Sequence, residues 1–261
     1  MSASDELLYD IEDGIGVVTF NRPQARNALT FAMYEGLAEI CAGIAPDGPV
    51  RALIITGAGG KAFAAGTDIA QFRAFKTRQD GITYEEKSDG VFQALEQCPV
   101  PTIAAIAGAC TGGGAAIAAC CDLRIGARDT KYGFPIARTL GNMLSAATLR
   151  RLVAVVGQSR VADMLLTARL IEADEGRQIG LLNEICDDHG QALARAHALG
   201  QQMKEQAPLT MRATKDLLRA LRDTAGEVDD RELIGTIYTS EDFREGMEAF
   251  IAKRKPQWKG R

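Results

Sequence analysis

The stretch Thr102 to Ala127, TIAAIAGACTGGGAAIAACCDLRIGA, decides how the rest of the chain is read. A β-branched and small apolar run, TIAAIAG, leads into Gly112, Gly113 and Gly114. Small apolar residues follow to Cys121, and then a short strand, DLRIGA. The pattern is strand, glycine turn, buried helix, strand. A helix that starts at glycines presents backbone N–H groups with no Cβ to hold a ligand away, and such a place suits negative charge. No Gly-Lys-Ser/Thr follows and no G-x-G-x-x-G is present, so phosphate-loop and dinucleotide readings fail. An oxyanion stabiliser or a close-packed turn remains.

Moving toward the N-terminus, Ala52–Gly57 (ALIITG) reads as a strand, and GAGGKAFAAGTDIAQF after it as a loop in which Asp68 caps a helix from Ile69 to Phe75. This is a second strand, loop and helix start with exposed amides. Two fixed donors meeting at one point are what an oxyanion hole requires, which pairs the amide near Thr67 with that near Gly113. LLYDIEDGIGVVTFNRP reads as a hairpin turning at Asp13-Gly14, and Thr30 as the N-cap of a helix carrying Phe31, Met33, Tyr34, Leu37 and Ile40. The polar stretch Thr77 to Gly90 reads as a mobile loop over a pocket, leading into a helix around Val91 to Glu96.

Beyond the glycine stretch, a helix is expected from near Ser145 to Gly157, others over Gln158 to Ala168 and Ile171 to Gly180, and a strand at LLNEIC. From Gln191 to Lys253 the periodicity is helical, divided at Pro208 and Gly226, with a last helix from Asp242 to Lys253. Strands alternate with helices up to Cys186 and helices alone follow, which predicts an α/β core with a helical C-terminal appendage suited to assembly.

The chain has 261 residues, 46% apolar and 25% charged, enough for one large core or a core with an appendage. A net charge of −4 gives no reason to expect a nucleic-acid partner. No apolar run reaches bilayer length and the start is polar and acidic, so a cytoplasmic protein without membrane attachment is expected. Cys41, Cys98, Cys110, Cys120, Cys121 and Cys186 lack C-x-x-C spacing and read as reduced core residues. With only His189 and His197, both in one late helical stretch, no metal site and no Ser-His-Asp triad is expected.

Taken together, the chain resembles the crotonase, or enoyl-CoA hydratase/isomerase, superfamily. The matching pieces are Asn21-Arg22-Pro23, Asn27-Ala28-Leu29, Ile54-Ile55-Thr56-Gly57, Lys61 to Ile69, the Gly112 to Gly114 triplet, Cys121-Asp122 and the tail from Phe250 through Trp258. The resemblance implies a spiral of β-β-α turns, with residues 1–200 as the acyl-CoA-binding core and 201–261 as a helical trimerisation region giving trimers or hexamers. It implies acyl-CoA substrates and no separate cofactor, coenzyme A being part of the substrate. The thioester oxygen falls to the amides of Thr67 and Gly113. Ala64, Ala65, Asp68, Ile69 and Ala70 would line the CoA groove, with Arg26 near its phosphates and Lys253 reaching them from the tail. For Asp68 a plain helix cap is an equal reading, and for the basic tail plain solvation.

The sequence departs from the family where its hydratases carry two glutamates. One position is Ala116; the other is Ile136 or Ala137, after Pro135. None of these can move a proton. Arg138, Asn142, Ser145, Cys110 and Thr111 are nearby polar candidates with ordinary explanations: a salt bridge, a turn, an N-cap, core and turn respectively. Asp80, Glu85 or Glu86 could be supplied by the polar stretch. The implied function is enoyl-CoA hydratase or isomerase chemistry through an oxyanion-stabilised enolate with both usual glutamates absent. The alternatives are a catalytically silent acyl-CoA binder and a thioester hydrolase of the same fold.

Overall fold

In the computed structural model, which describes residues 5–224 and 229–261, the deciding stretch bends earlier than expected. TIAAIAG is not one strand. Thr102–Ile106 ends before Gly108, whose φ is +58° and whose N–H donates to Asp129 Oδ1 at 3.0 Å; Ala109–Thr111 then joins a different sheet. A Cβ at position 108 would overlap the Lys61 carbonyl, so glycine alone fits this corner.

The elements in chain order are β1 (Leu7–Glu12), β2 (Ile15–Phe20), α1 (Phe31–Gly43), β3 (Ala52–Gly57), β4 (Ala62–Ala64), α2 (Arg78–Glu96), β5 (Thr102–Ile106), β6 (Ala109–Thr111) and α3 (Gly113–Cys120). Then come β7 (Leu123–Ala127), β8 (Lys131–Gly133), α4 (Ile136–Thr139), α5 (Ala146–Val156), α6 (Gln158–Leu166), β9 (Ile171–Glu172), α7 (Ala173–Gln178) and β10 (Glu184–Cys186). Four helices close the chain: α8 (His189–Lys204), α9 (Pro208–Asp223), α10 (Arg231–Thr239) and α11 (Glu241–Ile251).

The larger sheet has the order β1-β2-β3-β5-β7-β10, antiparallel at β1–β2 and parallel beyond; the smaller has the order β4-β6-β8-β9. The pairs β3/β4, β5/β6 and β7/β8 each place one strand in each sheet before a helix follows, so the chain climbs in repeated β-β-α turns. The strands are buried on both faces. Leu53, Ile55, Ala104 and Ile106 point into the main core with α1, α2 and α3, whereas Ala52, Ile54, Ile103 and Ala105 pack under Ala192 and Ala196 of α8. That period of two is why ALIITG reads as an unbroken apolar run.

The hairpin at Asp13-Gly14, the Thr30 cap and the Ser145 cap are as expected: Thr30 Oγ1 accepts from Met33 N–H at 3.3 Å and Ser145 Oγ from Thr148 N–H at 3.1 Å. Three expectations need correction. Thr77 to Gly90 is no loop but the N-cap and first two-thirds of α2. Thr77 and Asp80 form a reciprocal capping box, with Thr77 N–H donating to Asp80 Oδ2 at 2.7 Å and Asp80 N–H to Thr77 Oγ1 at 3.2 Å. Ile171 and Glu172 pair with β8 as a strand, leaving α7 shorter than expected. The last helices break at Ser240 as well as Pro208, and Gly226 lies outside the described residues. Five cysteines are buried and Cys186 is half-buried, all six free. His189, at the start of α8, places its Nε2 3.1 Å from Thr56 Oγ1.

Candidate active site

The segment Asn21 to Leu29 serves as scaffold for the first bend. Asn27 is fully buried with a left-handed φ of +55°, and its Nδ2 donates to the carbonyls of Ala58 (3.0 Å) and Ala62 (2.7 Å) while Oδ1 accepts from Arg22 N–H. Three main-chain bonds fasten the bend to this segment: Ala65 N–H to Arg26 O at 3.0 Å, Leu29 N–H to Gly66 O at 2.8 Å, and Asp68 N–H to Leu29 O at 2.8 Å. Arg22 Nη1 lies 3.0 Å from Asp68 Oδ2 and bonds the Ala28 carbonyl at 2.7 Å. Thr67 thus sits at the tip of a backbone loop held by its flanks, and its own N–H has no backbone acceptor among the described residues.

The second bend is fastened by Gly112 N–H donating to the Gly133 carbonyl at 3.0 Å. Gly113 opens α3, so its N–H also lacks a backbone acceptor. The two bends touch: a Cβ on Gly112 would stand 3.3 Å from Gly66 Cα, and one on Gly113 would stand 3.3 Å from Thr67 Oγ1 and overlap the Tyr34 hydroxyl. Any side chain at 113 would push into the hydroxyl cluster beside it.

Thr67 and Gly113 line one cavity of about 210 Å³. Ala116 and Ile136 line it too, whereas Ala137 is exposed and does not line it. Thr67 Oγ1 lies 2.9 Å from both the Tyr34 and the Tyr84 hydroxyl. Burial pushes both phenols above their ordinary value, so they act as neutral hydroxyls. The two tyrosines and Ser88 also border a second, more apolar cavity of about 530 Å³ between α1 and α2.

The opposing wall comes from α2. Tyr84 packs edge-on against Phe72 with ring centroids 4.9 Å apart, and Phe31 and Phe75 complete the aromatic cluster. This fixes the helix face bearing Tyr84, Glu85, Ser88 and Phe92, all of which line the smaller cavity. Glu85 is half-buried; desolvation, then the nearby charge of Asp89, raises its carboxyl above the ordinary range, against a hydrogen bond from the Ser145 backbone N–H. The sequence offers Glu85 as one of three carboxylates, with Asp80 and Glu86, on a stretch that reads as a loop. The signal that could have placed it was the Thr77–Asp80 capping box, which starts the helix seven residues earlier.

The other expected site residues are scattered. Ala65 and Ile69 line the cavity, whereas Ala64 is buried in β4. Asp68 caps the 3₁₀ turn Ile69–Ala74, accepting from Ala70 N–H at 3.1 Å, and is held by Arg22. Arg26, Ala70 and Lys253 are exposed and border neither cavity. Arg254 and Lys255, beside Lys253, pair with Glu245 and Glu205. Arg138 is exposed and makes no ion pair among the described residues, contrary to the expected salt bridge; Asn142 and Thr111 line the cavity and Cys110 is core. Asp122 is structural, accepting from Thr102 N–H at 2.7 Å and from Lys215 Nζ at 2.5 Å. Among the described residues no cluster of His, Cys, Asp and Glu could hold a metal ion.

The family model for enoyl-CoA hydratase/isomerase matches residues 10–261, and the chain belongs to that family. A short-chain-enoyl-CoA hydratase of Clostridium acetobutylicum is 32% identical over 256 residues, covering 96% of each chain. A 2,3-dehydroadipyl-CoA hydratase of Escherichia coli is 31% identical over 259 residues, covering 98% of this chain and 99% of that one. Among solved structures, an enoyl-CoA hydratase/carnithine racemase from Magnetospirillum magneticum superimposes with a TM-score of 0.91 at 33% identity, covering 99% of this chain and 97% of that one. The fold is that of the crotonase superfamily, an α/β spiral of β-β-α turns followed by C-terminal helices.

Proposed function

We propose that the protein is an enzyme that binds an acyl-CoA thioester with its carbonyl oxygen between the Thr67 and Gly113 amides, and works through the enolate that these donors stabilise. One observation carries the reading: two main-chain N–H groups without backbone acceptors, from bends that touch each other, line one cavity. Charge that develops on the thioester oxygen as a neighbouring C–H bond breaks would meet donors already in place, so little reorganisation is needed at the moment of reaction. No separate cofactor enters this chemistry. The names of the Clostridium and Escherichia relatives support a CoA thioester as the substrate class.

For assembly, the reading is a homotrimer or hexamer built through residues 201–261. Support comes from Leu218, Leu221, Ile234, Tyr238 and Met247 of α9, α10 and α11, large apolar side chains left exposed in the single chain. For location, the reading is cytoplasmic; among the described residues no helix is long and apolar enough to cross a membrane. Arg26 and Lys253, both exposed cations, are the side chains we assign to CoA phosphates.

Titration calorimetry with crotonyl-CoA and with its saturated counterpart tests the central claim. Binding of both by the unaltered protein, weakened for both in Gly113→Ala, is the expected result. Failure of the unaltered protein to bind any acyl-CoA would defeat the proposal. The catalytically silent reading rests on Ala116, Ile136 and Ala137, and binding without turnover of any enoyl-CoA would favour it.

A further inference from the structure

Resting on the acyl-CoA reading above, we propose that Glu85 of α2 is the catalytic residue that moves the substrate proton, and that the reaction it serves is migration of a carbon–carbon double bond along the acyl chain.

The argument is one of elimination within a closed set of side chains. Of the residues that line the smaller cavity, Glu85 alone carries a carboxyl group, and none is a lysine, arginine or histidine. Ser88, Thr111, Thr139, Asn142 and Thr148 do not titrate in the useful range. Tyr34 and Tyr84 stay protonated, and their hydroxyls are already engaged with Thr67 Oγ1. They can hold the bend but cannot accept a proton near neutrality. Glu85 can.

Its surroundings suit a base. From its own helix, Asp89 stands one turn on and Tyr84 immediately before it; from α1 comes the neutral Tyr34 phenol; from the turn before α5 comes the Ser145 N–H. Arg151 of α5 is committed to Asp89 and Glu96 at 3.0 Å each. No cation pairs with Glu85 among the described residues, and the Ser145 backbone N–H is the donor that bonds its carboxylate. A carboxyl raised toward the working pH is a better proton acceptor and donor than a solvated one.

A single carboxyl also selects the reaction. From a 3-enoyl thioester, the Glu85 carboxylate takes a proton from C2: the C2–H bond breaks, the O–H bond forms, and the electron pair spreads over C2 to C4 and the thioester oxygen held by Thr67 and Gly113. The Glu85 carboxylic acid then returns that proton to C4, and the electrons settle as the C2–C3 double bond. No water, oxidant or second base is consumed. Net hydration would need a further group to activate water, and no second carboxyl, lysine or histidine lines this cavity among the described residues.

The test uses the full-length protein and 3-hexenoyl-CoA, following formation of the conjugated 2-enoyl thioester by ultraviolet absorbance. Unaltered protein should convert it, and Glu85→Gln should lose about 100-fold or more in kcat with hexanoyl-CoA affinity held within about threefold. Glu85→Asp should keep part of the rate. The acidic limb of the kcat/KM profile should disappear in Glu85→Gln, a change that a packing role would not produce. Substrate deuterated at C2 should deliver some of its label to C4. If Glu85→Gln keeps kcat within about threefold, or keeps the acidic limb, the assignment is overturned while acyl-CoA binding still stands. Binding of 3-hexenoyl-CoA by unaltered protein without conversion overturns the double-bond reaction. Absence of any acyl-CoA binding overturns the underlying reading as well.

Discussion

The two walls of the small cavity are built on different principles. One consists of main chain: the bends at Gly66-Thr67 and Gly112-Gly113 are fixed by hydrogen bonds from their flanks and by contact with each other, and the groups they present are amides. The other consists of side chains from α2, α3 and α4, whose identities are open to change. A main-chain wall has almost no freedom to vary, since any Cβ added at 113 overlaps Tyr34. A side-chain wall can lose a glutamate at one position and carry a different one elsewhere. In this chain the main-chain wall holds the amides of Thr67 and Gly113, and the side-chain wall holds Ala116, Ile136 and Glu85.

Gly113→Ala is the sharpest way to break the first wall. The added methyl displaces the Tyr34 hydroxyl and moves an amide aimed at the substrate, so kcat on an enoyl-CoA should fall by about 10² to 10³, the usual cost of one oxyanion donor. Steady-state rates on a folded, melting-checked sample decide the matter. A loss under about tenfold would mean that the amide is not a donor to the reacting oxygen.

Thr67→Val separates the amide from the side chain at the same residue. The amide stays, while the Tyr34 phenol, buried at 5% exposure, loses its bond to Thr67 Oγ1. An unpaired buried hydroxyl should cost about 1–3 kcal/mol in urea unfolding, and the rate should suffer far less than in Gly113→Ala. Equal damage to rate in the two variants would assign the chemistry to the hydroxyl cluster instead.

On the second wall, Ile136→Ala should be mild. The residue is half-buried on a four-residue helix, and its truncation should cost about 1 kcal/mol of stability and alter kcat by less than about tenfold. A greater loss would show that this position shapes the reacting geometry as tightly as the glycine bends do.

The same contrast explains what could be read from the sequence. Ala52–Gly57, the turn at Asp13-Gly14 and the caps at Thr30 and Ser145 are decided within a few residues, so their chemistry is local and visible. The glycine bends were legible because amides need no particular side chain, only a place without one. The helical wall was not. α2 has a polar composition and two glycines, Gly81 and Gly90, and its docking depends on Phe31, Phe72 and Phe75, which lie outside it, Phe31 as far back as the start of α1. The split of TIAAIAG between two sheets was hidden for a related reason: either half alone has strand composition, and only the Lys61 carbonyl pressed against Gly108 shows that the chain must turn.

The smallest expected effect concerns Glu85 as a burden on the fold. Burial, aided by Asp89, raises its carboxyl above the ordinary value of 4.5, so folding favours the protonated form. Whatever stability the group contributes is therefore complete below 4.5 and is lost as the pH rises through the folded-state value; near neutrality the ionised group is a net cost. Glu85→Gln keeps the shape and removes the charge. Its melting temperature should match that of the unaltered protein at low pH and rise relative to it as the pH approaches 7, while turnover is lost. A difference that stays flat with pH, or grows in the opposite sense, would mean that the carboxyl is solvated or paired. The helical wall would then lack a group poised to accept a proton, and only the glycine wall would be left to account for any chemistry.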